Sequence, residues 1–143
     1  MPDDVQPSHK YVAVLNKTIP AGKLMDTLAR ATTGLSAVYP DITEMRLDNC
    51  QDGSGGKHRG ITDNRFIVLR ADNSNKLRVL RGALVEQNIH FTDFTSTMTE
   101  DTYEEQHEST QATPEAELEY FSIVAYGKIE ALNAINKKFS LWR

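Results

Sequence analysis

Lys23, Asp93 and Thr95 are of the types that ester or acyl hydrolysis needs. One group polarises a carbonyl, one orients water and one donates to the developing oxyanion. Lys23 follows Pro20-Ala21-Gly22, where the free N–H groups of a helix start can hold an anion and the ammonium adds charge. Asp93 opens a hydroxyl-rich run that holds Thr95 and Thr97 and extends to Thr99. In an open α/β sheet, ligands bind beyond the carboxyl ends of the parallel strands. Both segments are expected there, with Gly22 and Thr97 as ligand contacts. Plainer readings stand beside these: Lys23 as a solvated first-turn lysine, Asp93 as a loop tie, the threonines as caps and turn formers.

The stretch Gln51-Asp52-Gly53-Ser54-Gly55-Gly56-Lys57-His58-Arg59-Gly60 is the most glycine-rich in the chain. A P-loop would need glycine at Gln51 and serine or threonine at His58, and the dinucleotide fingerprint does not fit either. With Asp52-Gly53 the segment reads as a hairpin turn, and His58 is a candidate ligand-binding side chain on it or a solvent histidine. His9, His90 and His107 are scattered without ligand spacing, so no metal site is expected. Gly34-Leu35-Ser36-Ala37-Val38 lacks the second glycine of a nucleophile elbow. The single cysteine, Cys50, has no disulfide or CxxC partner. No cofactor is expected, and a reduced, cytoplasmic setting is the default.

Strands and helices alternate along the chain. Tyr11 to Asn16 reads as a buried strand and Ala21 to Ala37 as a helix with Leu24, Leu28, Ala31 and Leu35 on one face. Ile42 to Cys50, Phe66 to Arg70 and Ile89 to Phe94 are expected strands. Ser74 is expected to cap a helix with Leu77, Leu80, Leu84 and Val85 on its apolar stripe. Asp101 with Glu104 resembles a capping box, and Pro114 opens a further helical turn. In Phe121 to Lys128, Ile123-Val124-Ala125 form a strand core and Gly127 allows a turn into a helix from Ile129. Phe139, Leu141 and Trp142 are expected to pack on the core or on a second subunit. This order implies a three-layer α/β/α domain around a largely parallel sheet. Residues 1–9 are expected to be a flexible tail and 10–143 a single domain.

The net charge of -4 hides an asymmetry. No lysine or arginine lies between Arg81 and Lys128, whereas ten of the twenty acidic residues do. A solvated acidic surface, or one that docks a basic partner, is expected, and nucleic acid is disfavoured because phosphate contacts dominate that affinity. The apolar runs are too short to span a bilayer.

Several marks occur together in order: Pro20-Ala21-Gly22, His58 with Gly60-Ile61, Asp93-Phe94-Thr95, Tyr103-Glu104-Glu105, Tyr126-Gly127 and Leu141-Trp142-Arg143. From Lys10 to Arg143 the chain thereby resembles the domain-of-unknown-function family numbered two thousand, which looks like a branch of the type II peptidyl-tRNA hydrolase superfamily. The resemblance implies a mixed sheet of about four main strands, helices on both faces and often a homodimer. It implies little about activity; the function expected from the residues themselves is binding of a small anionic or acyl ligand near Lys23, His58 and Asp93, with its hydrolysis left open and a non-catalytic interaction module as the alternative. Gly22-Lys23 matches the first glycine-lysine pair of the hydrolases' first loop, and Asp93 falls on their aspartate. Their second loop lysine falls on Met25, the glutamine and histidine of their first helix on Ala29 and Thr32, and their last threonine-glycine pair near Asn136-Lys137. Acylated tRNA should therefore release its peptide no faster with this protein than with its Lys23→Ala variant. Rapid turnover dependent on Lys23 would contradict that expectation.

Overall fold

A computed structural model describes residues 6–99 and 102–143. The elements run β1 (His9–Asn16), α1 (Ala21–Val38), β2 (Leu47–Gln51), β3 (Lys57–Thr62), β4 (Phe66–Ala71), α2 (Ser74–Glu86) and β5 (His90–Thr95). They continue with α3 (Tyr103–Ala112), β6 (Tyr120–Lys128), α4 (Ile129–Asn136) and β7 (Ser140–Leu141). The apolar run Tyr11 to Leu15 has no polar face, and β1 is buried from Lys10 to Asn16. Such a strand must lie inside a sheet covered on both sides.

The main sheet has the order β5-β6-β1-β4-β7. Only β1 and β4 pair in parallel; β1 with β6, β5 with β6 and β4 with β7 are antiparallel. The sheet is thus mixed and five-stranded, not mostly parallel with about four main strands. The difference arises after β5. The short helices between Thr95 and Tyr120 do not carry the chain back across the sheet, so β6 must return antiparallel. α4 then turns the chain again, and β7 adds a short fifth strand beside β4.

Alternation divides the side chains between two cores. Val12, Val14, Leu69, Ile123 and Ala125 meet Leu77, Leu80 and Leu84 of α2 and Leu132 and Ile135 of α4. On the other face Tyr11, Ala13, Leu15, Val124 and Tyr126 meet Leu24, Ala31 and Leu35 of α1. Each fully buried leucine contributes about 1.5–3 kcal/mol relative to exposure. A β-bulge near Phe121 shifts the β5–β6 register between Phe94 and Thr95, so that Tyr120 joins the first core while Phe121 joins the second.

Several local expectations change. Ile42–Met45 is a 3₁₀ turn, because the Asp41 carboxylate accepts from Thr43 N–H at 3.0 Å and caps it, and strand begins only at Leu47. α2 is capped by Asn73, whose side chain accepts from Lys76 N–H, while the Ser74 hydroxyl accepts from Tyr120 N–H. Thr102 caps α3, and Asp101 lies outside the described residues. Pro114 precedes a 3₁₀ turn, Glu115–Glu117. Gly127 sits within β6 rather than in a turn. The glycine-rich segment forms the turn of a separate β2–β3 hairpin, as expected. Among the described residues no helix is long and apolar enough to cross a membrane.

Residues 139–142 stitch the two faces together. Phe139 packs against the α2–α4 core, Trp142 against the α1 core, and Trp142 N–H donates to Val68 C=O at 3.0 Å. Leu141 is 54% exposed and so does not pack on the core of its own chain. Phe139→Ala and Trp142→Ala should each cost about 2 kcal/mol and lower Tm by several degrees. Leu141→Ala should leave Tm nearly unchanged in the same thermal melts.

Candidate functional site

Of the residues singled out by chemical type, Thr95 and Thr97 are brought into direct contact, whereas Lys23, His58 and Asp93 each have other surroundings. Gly22 and Lys23 are exposed in the first turn of α1, on one face of the sheet. Asp93 points to the opposite face: it pairs with Ile123 and accepts from Arg81 Nε of α2 at 2.9 Å. His58 stands on the exposed hairpin, where its Nε2 lies 2.9 Å from Asp52 Oδ2. Thr95 and Thr97 are buried, joined at 2.8 Å, and Thr97 meets the Thr110 hydroxyl at 2.8 Å, which donates to Gln106 C=O. These hydroxyls tie the 3₁₀ turn Ser96–Thr99 to α3.

A cavity of about 720 Å³ lies at the other end of the strands, within the range of small-ligand sites. Its wall includes His9, Tyr39, Glu44, His90, Tyr126 and Lys128. Local chain signals put each there. Pro40 disfavours helical backbone at the preceding residue, so α1 stops and Tyr39 turns out as its C-cap in extended conformation. Asn88 adopts φ 55, which asparagine tolerates, and ends α2 so that Ile89 and His90 enter β5 at the cavity. Glu44 is held by its backbone: its carbonyl accepts from Tyr126 Oη at 2.7 Å and from Asn64 Nδ2 at 2.8 Å.

The aromatic rings interlock. Tyr39 meets Tyr126 edge-on at 4.7 Å and His90 at 5.2 Å, and His9 stacks on Tyr126 at 5.4 Å. Tyr39 donates its hydroxyl to Glu44 Oε2, which also lies 3.6 Å from His9 Nε2. Burial, then the Glu44 hydrogen bond and the charges of Glu44 and Asp41, push the Tyr39 phenol up to about 12. Burial also raises the Tyr126 phenol, with the neighbouring phenols and Glu44 adding to it. Both hydroxyls therefore stay neutral donors. His90 Nε2 is buried and has no hydrogen-bond partner among the described residues. No group of three His, Cys, Asp or Glu among the described residues could hold a metal ion. The arrangement can hold a small molecule between aromatic walls and offer it a carboxylate and an imidazole.

Spacing could not reveal these residues, since His9 and Tyr126 meet only through the β1–β6 register. The available signal was polar side chains at the ends of buried strands, as at His9 and His90. Tyr39 and Tyr120 both titrate near 12 against an ordinary 10.0, Tyr120 through burial and its bond to Glu115. A raised phenol pKa means the folded state binds more protons than the unfolded state between those values. Their stabilisation is complete below pH 10 and is lost as pH rises toward 12. Urea unfolding followed across that window should show this fall, and it should be shallower in Tyr39→Phe.

A protein of unknown function from Agrobacterium tumefaciens strain C58 has a similar solved structure. The TM-score is 0.80 at 14% identity, over 95% of this chain and 98% of that one. At this identity the likeness concerns the fold alone. No curated protein matches the chain. The family described as protein of unknown function (DUF2000) matches residues 9–143. The chain belongs to that family.

Proposed function

We propose that this domain binds a small organic ligand in the cavity between Tyr39, the start of β5 and the end of β6. The observation that carries the reading is the cavity of about 720 Å³ itself, walled by Tyr39, His9 and His90 with the Glu44 carboxylate at its edge. The interlocked rings and the doubly held Glu44 carbonyl support a site already formed before binding, which reduces the ordering cost of association.

On this reading the domain is a binding module rather than a hydrolase worked by Lys23, Asp93 and Thr95. The placement of Lys23 and Asp93 on opposite faces of the sheet supports that choice, as does the commitment of Asp93 to Arg81. The scaffold we infer is type II peptidyl-tRNA hydrolase-like. A mixed sheet with helices packed on both faces supports it, together with the motif order from Pro20 to Trp142. The exposed free thiol of Cys50 favours a reducing, cytoplasmic setting, and the acidic stretch after Arg81 disfavours nucleic acid as partner.

A fragment screen by thermal shift tests the reading, because a ligand that binds only the native state raises Tm by mass action. The stabilisation should vanish in His90→Phe and Tyr39→Ala and persist in Lys23→Ala. The opposite pattern would return the ligand to the start of α1.

A further inference from the structure

We infer that the ligand of this cavity carries a protonated amine, read by the carboxylates of Glu44 and Asp41 against the aromatic wall. The inference rests on the binding reading above and adds the charge class of the ligand.

Both protein contacts of the Glu44 carboxylate fall on Oε2, from Tyr39 and His9. Asp41 uses Oδ1 for both the N–H and the hydroxyl of Thr43. One oxygen of each acid is thus left to a ligand, and among the described residues neither acid has a lysine or arginine ion-pair partner. The other charged residue of the lining, Lys128, is exposed. A carboxylate that already accepts a phenol proton is fixed in place, so a charge-assisted bond to it costs little reorganisation. Tyr39 and His9 supply ring surface for an organic cation.

An anion would fare worse here. It would face two carboxylates, Glu44 part-buried and Asp41 exposed, and like charges repel. Burial is the main reason that Tyr39 and Tyr126 resist ionisation, and the Glu44 charge adds to it. An isosteric neutral group would fill the space and lose the charge-assisted bond.

A matched series of benzylamine, benzyl alcohol and benzoate separates these outcomes, titrated into the protein at about pH 8, where an ordinary histidine is neutral. Ring resonances of His9, His90 and Tyr126 report binding at the cavity. Benzylamine should bind with a Kd about tenfold or more below that of benzyl alcohol, the worth of one charge-assisted hydrogen bond, and benzoate should bind weakest. In Glu44→Gln the amine should fall to the affinity of the alcohol, while the alcohol itself changes little. Asp41→Asn provides a second variant, expected to reduce the amine preference in part, should Glu44→Gln fail to fold. Equal binding of amine and alcohol, or a preference for benzoate, would overturn the charge class and leave the cavity as the binding site. If none of the three moves those resonances, the inference and the binding reading fall together.

Discussion

β1 is buried from Lys10 to Asn16, hydrogen-bonded to β4 along one edge and to β6 along the other. Every other packing choice follows from covering both of its faces. α1 must take the side of Tyr11, Ala13 and Leu15, and α2 with α4 the side of Val12 and Val14. β6, buried from Tyr120 to Tyr126, is the second such strand, and its antiparallel register with β1 sets Tyr11 opposite Tyr126 and His9 opposite Lys128. One register therefore fixes both the division of the cores and the ring cluster at the strand ends. A one-residue slip would exchange the faces of every side chain on β6.

The same register explains why the cavity lies where it does. The cavity is bordered by the start of β1, the turn after α1, the start of β5 and the end of β6. The 3₁₀ turn Ile42–Met45 is clamped from below. Tyr11 Oη donates to Met45 Sδ at 2.9 Å, while Tyr126 and Asn64 hold the Glu44 carbonyl. Backbone clamping leaves the Glu44 side chain to Tyr39, His9 and a ligand. At the opposite end, the polar groups that suggested chemistry are consumed internally, Asp93 by Arg81, Thr95 by Thr97 and Thr97 by Thr110 as well.

Much of the fold was legible in the residues because it depends on local pattern. The apolar runs of β1, β4 and β6 and the stripes of α1 and α2 were readable from period alone. Strand direction was not, because alternation of strands with helices implies parallel crossovers only when the helix spans the sheet. Asp93 to Tyr120 holds helices too short and polar to do so, and α3 buries no residue. The cap of α2 was placed one residue late, since Asn73 and Ser74 are both good caps and tertiary contact with Tyr120 claimed the serine. The site was hidden for a different reason. Its parts come from five elements and meet through registers and cap turns, whereas Lys23, Asp93 and Thr95 attracted notice through residue type and resemblance.

The most direct measurement is a crystal of the wild-type protein soaked in a mixture of small amines, alcohols and carboxylates. The account predicts electron density between Tyr39, Glu44 and His90, with a nitrogen beside the Glu44 carboxylate. Density seated instead on Gly22 and Lys23, with the cavity holding only water, would contradict it.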